Sequence, residues 1–247
     1  MQKIRFLSGS ALKIIAAIAM VVDHVGLLFF PSQNIFRIIG RLSFPIFAFM
    51  ISEGARYTKN KLRYFLLMFS LATVCQVVYY FFDNGSLYMC ILVTFSLSVL
   101  LIYSLNWFKR CIFEKDGSIY LKILSGSLFI GLSLAIYYLT TVLTIDYGFG
   151  GIMVPVLASL FDFRKIDAPS ALRKLDTLFV RVICLTVGLI ILAFIGGPNQ
   201  KYALLATPLL LLYSGSRGKY KLKYFFYIFY PLHLAVLEGI YMLLQAL

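Results

Sequence analysis

The sequence predicts an all-α fold, a polytopic transmembrane bundle of about nine helices, and three observations predict it. The chain is 61% hydrophobic and only 13% charged, whereas a soluble domain is roughly 25% charged. Its apolar runs approach the roughly 20 residues that cross a bilayer as helix, without the short alternation of an outer-membrane barrel. Of its 23 basic residues, all but Arg37, Arg41 and Lys201 lie in or beside alternate connections between the apolar runs. That asymmetry is the one the positive-inside rule reads, and it places the N-terminus in the cytoplasm and the C-terminus outside.

Charged, Gly, Pro and Asn punctuation divides the chain into nine spans, at about 11–30, 35–53, 62–82, 87–108, 119–140, 144–161, 177–195, 200–214 and 224–246. The first is too long for a signal-peptide core and has no small-residue cleavage site after it, so it is read as a retained helix. The spans at 144–161 and 200–214 are short and carry Pro155 and Pro208, so either could be re-entrant or broken. Nine crossings, however, is the count that keeps every basic segment on one side. There is no internal repeat, and the polar connections at Glu114–Gly117 and Asp162–Asp176 are too short to be domains, so residues 1–247 form one membrane domain. The second connection could form a short surface helix.

The formal net charge of +13 is therefore loop charge. It serves topology and attraction to anionic lipid in the bilayer, and implies no nucleic-acid partner. A basic cytoplasmic mouth would also attract a phosphate-bearing substrate such as a coenzyme. The four cysteines are scattered singly without metal-ligand spacing and read as packing residues, so no metal is expected.

Chemistry concentrates in a few places. The first span holds Met20-Val-Val-Asp23-His24-Val-Gly26 in an otherwise apolar run. An ionisable residue at membrane depth costs a few kcal/mol or more, and usually marks function. Ala16, Ala19, Asp23 and Gly26 share a small-residue stripe, so Asp23 should face the bundle. His24 lies about 100° round the helix and should look elsewhere. In the second span Arg41 falls at a similar depth, and an Asp23–Arg41 ion pair is the cheapest way to hold both charges. Glu53 ends that helix, either snorkelling to water or standing at a substrate entrance.

Further on, Asp146-Tyr147-Gly148-Phe149-Gly150-Gly151 permits a tight turn and close packing, and Asp146 and Tyr147 could line an acceptor site. In the last span Pro231 frees a backbone carbonyl and should kink the helix, with Tyr230 and His233 on one face. His24 and His233 are the chain's two histidines, and both lie inside spans. A low-dielectric site favours neutral imidazole, the form required of a general base or nucleophile.

The motifs Ala-Leu-Lys-Ile-Ile-Ala (11–16), Met-Val-Val-Asp-His-Val-Gly (20–26), Gly-Arg-Leu-Ser-Phe-Pro-Ile-Phe-Ala-Phe (40–49) and Glu53-Gly54 resemble the TraX family. Asp-Tyr-Gly (146–148) and Phe-Tyr-Pro-Leu-His-Leu (229–234) look like its later motifs, so the resemblance spans most of the chain. It implies a transmembrane acyltransferase of the bacterial inner membrane, similar to the acetylase of conjugative pilin N-termini. The donor would be cytoplasmic acetyl-CoA, and the acceptor an amine or hydroxyl, on pilin or another envelope molecule.

On this reading His24 is a general base or transient acyl acceptor, and Asp23 and Arg41 orient the reacting groups, Arg41 facing the developing oxyanion. Glu53, Asp146, Tyr147, Tyr230 and His233 are candidates for substrate binding. The rivals are a proton-coupled transporter or flippase, since buried Asp, His and Arg also build proton relays, and a structural assembly partner.

Overall fold

A computed structural model describes residues 5–82, 87–114, 117–164, 166–219 and 223–245. Lys3, Lys115, Lys165 and Lys221, counted above among the basic loop residues, lie outside them. The described residues are helical with connecting turns: α1 (Gly9–Phe29), α2 (Asn34–Gly40), α3 (Ser43–Tyr57), α4 (Lys61–Phe82), α5 (Ile91–Phe113), α6 (Ile119–Val142), α7 (Gly148–Ala158), α8 (Ser170–Lys174), α9 (Leu178–Ile195), a 3-10 segment (Pro198–Leu205), α10 (Ala206–Leu211) and α11 (Lys223–Gln245). Extended pairing among them is limited to two single bridges, Leu7 with Tyr213 and Met89 with Ile145.

Among the described residues seven helices are long and apolar enough to cross a membrane, taking α2 and α3 together as Asn34–Tyr57. The chain is a multi-pass membrane protein. Of the nine spans expected from hydropathy, seven are such helices among the described residues, and the two read from the sequence as short are indeed short in the fold. The run at 144–161 is an 11-residue α7, and the run at 200–214 is the 3-10 segment followed by the six residues of α10. The second predicted span is also broken, at Arg41–Leu42. Pro45, in the first turn of α3, has no N–H with which to continue a ladder from the Arg41 carbonyl, so the helix restarts there.

The chain divides into two compact units. The first comprises Met1–Met50, Thr73–Leu87 and Leu189–Leu247. Its α1 starts at Ser8, whose hydroxyl accepts the Ala11 N–H at 3.2 Å. The stripe of Leu12, Ala16, Ala19 and Gly26 is buried, while Ile14, Ile18 and Leu27 are exposed, as lipid-facing positions would be. Packing of α1 on α2 is close: a Cβ at Gly26 would overlap Phe36, and one at Gly40 would overlap Asp23. On another side α1 packs along α11.

The second unit comprises Ile51–Ala72 and Tyr88–Gly188 and is built round α5, which packs against α6 and α7. Leu101, Ile102 and Leu105 form a core there with Ala55, Ile136, Ile152 and Val156. The Ser98 hydroxyl lies 2.8 Å from the Ile152 carbonyl, tying α5 to α7 at mid-length. The surface helix expected in 162–176 is α8.

The two short segments nevertheless run from end to end of a spanning helix. Asp146 N–H donates to the Met89 carbonyl beside the start of α5. At the other end of α5, Lys109 Nζ donates to the carbonyls of Ser159, Leu160 and Asp162 at 3.0, 3.3 and 3.0 Å. In the first unit the 3-10 segment packs on α2, which follows the C-terminal end of α1. Leu212, Ser216 and Arg217 then accept N–H groups from Leu7, Gly9 and Ser10 at the N-terminal end of α1. Short, irregular backbone at such depth is tolerated where protein covers it, and Gly151, Ile152, Val154, Pro155, Val156 and Ala158 of α7 are all buried.

Candidate functional site

The first unit collects the strongest sequence candidates. Asp23, three turns or more into α1, faces α2 and is held by two arginines on a single oxygen. Arg37 Nη1 donates to Asp23 Oδ2 at 2.8 Å, and Arg41 Nη2 approaches the same atom at 3.5 Å. The side chains of Asp23, Arg37 and Arg41 are 17%, 28% and 11% exposed. The expected partner, Arg41, is therefore present, but Arg37 makes the shorter contact. A signal for it existed: Arg37 and Arg41 are four residues apart and share a helix face, and both stood outside the basic loops. Asp23 Oδ1 is buried with no hydrogen-bond partner among the described residues. One carboxylate between two guanidiniums leaves an excess of positive charge, suited to holding an anion or a polarised carbonyl.

His24 turns away from Asp23, as the helix geometry predicted. Its Nδ1 lies 2.7 Å from the Met20 carbonyl one turn earlier. Across the α1–α11 contact it meets His233, with ring centroids 5.2 Å apart and planes at 85°. His233 repeats the arrangement, its Nδ1 lying 3.0 Å from the Phe229 carbonyl. A carbonyl only accepts, so both rings carry their hydrogen on Nδ1 and leave Nε2 for proton transfer. His233 is 7% exposed, and its Nε2 has no partner among the described residues. Phe229 stacks on His233 at 5.1 Å and Tyr230 meets it edge-on at 5.5 Å, fixing the ring between aromatic walls. Pro231 sits inside α11, which continues on both sides of it.

Sequence reasoning chose both histidines but did not pair them, because no spacing within either helix encodes a contact more than 200 residues apart in the chain. Asp23, His24, Arg41, Tyr230 and His233 thus fall in one unit.

Glu53, Asp146 and Tyr147 belong to the second unit and lie at opposite ends of α7. Glu53 is 6% exposed and pairs with Arg181 Nη1 at 2.5 Å, so it is a buried ion-pair member and not a snorkelling residue. Arg181 also reaches the Ala158 carbonyl and the Ser52 hydroxyl, each at 3.4 Å. Asp146 takes a 2.7 Å hydrogen bond from Tyr88, and its carbonyl takes 2.6 Å from Thr94. Tyr147 has φ 60°, a left-handed conformation rare for a side-chain-bearing residue. Together with Gly148 at φ 54° it turns the chain into α7. Nearby Cys90, just before α5, is buried. All four cysteines are free, and no cluster of three or more His, Cys, Asp or Glu that could hold a metal occurs among the described residues.

A second polar cluster in this unit had no counterpart in the sequence reading. Arg56, near the end of α3, bridges Asp176 at 2.5 Å and Asp162 at 3.1 Å. Each carboxylate also accepts a loop N–H, from Phe163 and Arg164 respectively.

Comparison with known proteins agrees with the motifs. The chain is 27% identical over 269 aligned residues to "Probable fimbrial assembly protein FimC, serogroup H1" of Dichelobacter nodosus, covering 96% of this chain and 97% of that protein. A 52-residue stretch, 21% of each chain, is 46% identical to an uncharacterized protein of Rickettsia prowazekii (strain Madrid E). No solved structure matches. The family model described as TraX protein matches residues 8–241, nearly the whole span that carries the helices above, and the chain belongs to the TraX family.

Proposed function

We propose that this protein is a bacterial inner-membrane acyltransferase that moves an acetyl group from cytoplasmic acetyl-CoA to an amine or hydroxyl acceptor. The observation that carries the reading is the pairing of His24 with His233 in the unit that also holds Asp23 between Arg37 and Arg41. Two imidazoles with Nδ1 tied back to carbonyls keep Nε2 for a proton, and adjacent guanidiniums supply charge to a developing oxyanion.

In this scheme His24 Nε2 takes the proton of the acceptor N–H or O–H as the acceptor atom attacks the thioester carbonyl. The new C–N or C–O bond forms, the C–S bond breaks, and the proton passes to the departing thiolate. Arg41 and Arg37, anchored on Asp23, face the carbonyl oxygen, while His233 and Tyr230 wall the acceptor. The basic loops mark the cytoplasmic face on which the donor arrives. The relative named for fimbrial assembly favours a pilin or another envelope protein as acceptor.

The test is transfer of labelled acetyl from acetyl-CoA by the purified protein to membrane extracts or a pilin N-terminal peptide. Wild-type protein should transfer label, and His24→Ala should lose about 10²–10⁴-fold in rate. A His24→Ala rate equal to wild type would overturn the assignment of the base. Uptake of a solute without acyl transfer would favour the transporter reading.

A further inference from the structure

We infer that the second unit carries a phosphate-binding pocket at the junction of α3, α5 and the 162–166 loop. The pocket is small and partly open, and its polar lining is Arg56, Thr58, Lys61, Asn106, Arg110, Asp162 and Arg164. Four cations line it with one carboxylate, and that carboxylate is already committed. Asp162 Oδ1 binds Arg56 at 3.1 Å and the Arg164 N–H at 3.2 Å.

Arg56 is neutralised by Asp162 and Asp176. Arg110 and Arg164 are exposed, and neither has an ion-pair partner among the described residues. Arg164 is nonetheless not loose: its guanidinium lies 4.2 Å from the centre of the Tyr57 ring, which holds the planar fork in place. Lys61 stands 5.2 Å from the Tyr103 ring in the same way. Aromatic seats of this kind lower the entropy lost when a cation engages a ligand. The wall also holds a buried amide oxygen, Asn106 Oδ1, with no donor among the described residues. Turning that amide over would present its two N–H groups instead, which is what an anion requires.

Pre-placed guanidinium forks, an ammonium and an amide suit a multi-oxygen anion better than a single carboxylate. The ligand class is a phosphate monoester or diphosphate, from a soluble coenzyme or a lipid headgroup. This site goes beyond the acyl-transfer reading and does not need it.

The experiment uses the full-length protein and the double variant Arg110→Gln/Arg164→Gln, whose two side chains are exposed, with thermal unfolding as the folding control. Binding of coenzyme A and of inorganic diphosphate is measured by calorimetry. Partition into phosphatidylcholine nanodiscs with and without phosphatidylglycerol is measured beside it. The double variant should bind the soluble phosphates about tenfold or more weakly, and added salt should weaken wild-type binding. Loss of only the phosphatidylglycerol preference would support the pocket and assign the phosphate to lipid. If neither response depends on the two arginines, the pocket is overturned. Wild-type protein that binds coenzyme A through them yet transfers no acetyl group would sink the acyltransferase and leave the site standing.

Discussion

His24 and His233 meet edge to face with their ring centroids 5.2 Å apart, each imidazole tied through Nδ1 to a carbonyl of its own helix. If both serve one proton path, their losses should not add. His24→Ala and His233→Ala should each reduce acetyl transfer, and the double variant should be no slower than the worse single one. Additive losses in a labelled-acetyl assay would assign the two rings to separate steps.

The packing at Gly40 leads to a second expectation. Its Cα lies against the Asp23 carboxylate with no space for a methyl group, so Gly40→Ala must push α2 from α1 or displace Asp23. Overpacking of this kind costs about 1–3 kcal/mol. Gly131 of α6 has open space where its Cβ would be, and Gly131→Ala should be neutral or gain up to about 1 kcal/mol. Unfolding temperatures of the two variants in one detergent make the comparison. Equal temperatures would mean that the α1–α2 contact is not tight.

These examples show what hydropathy could and could not foretell. Spans predicted at 62–82, 119–140 and 177–195 became α4, α6 and α9 within a few residues, because burial in lipid acts on every residue of a long helix. The break at Arg41–Leu42 was less legible, since the run is apolar on both sides and only Pro45 marks the restart. The shortness of α7 and α10 was half visible, in Pro155, Pro208 and the glycines. Asp23, His24 and Arg41 stood out because charge in an apolar run is rare, but the choice between Arg37 and Arg41, and the meeting of His24 with His233, depend on how helices dock. The Arg56–Asp162–Asp176 cluster was invisible for another reason: each of its members is an ordinary loop charge until the chain brings them together.

The two arginines on Asp23 should back each other up. Arg37→Gln or Arg41→Gln alone leaves one guanidinium on Oδ2, and either variant should fold. The double variant leaves a mostly buried carboxylate without them, and should lose stability on the order of 3–5 kcal/mol, less what its residual exposure to water returns. Adding Asp23→Asn to the double variant should recover much of that stability but no acetyl transfer. Recovery of transfer along with stability would show that the trio serves only the fold.

Arg56 offers the same test in the second unit, with the charges reversed. Its guanidinium stands between Asp162 and Asp176, whose side chains are 10% and 11% exposed. Removing it in Arg56→Gln would leave two carboxylates facing one another in a site that water barely reaches, at a cost of about 3–5 kcal/mol. Arg56→Lys keeps the charge but cannot reproduce the fork by which Nη1 and Nη2 take the two Asp176 oxygens, at 2.5 and 3.1 Å. It should therefore fall between wild type and Gln. Adding Asp162→Asn to Arg56→Gln removes one of the opposed charges and should raise the unfolding temperature above that of Arg56→Gln alone. The Asp162 oxygen also accepts the Arg164 N–H, so some loss should remain. If Arg56→Gln unfolded at the wild-type temperature, the bridge would contribute nothing to the fold, and the loop at 162–176 would have to be held by its other contacts, the Lys109 bond to the Asp162 carbonyl and the packing of Phe163, Ile166 and Ala168 among them.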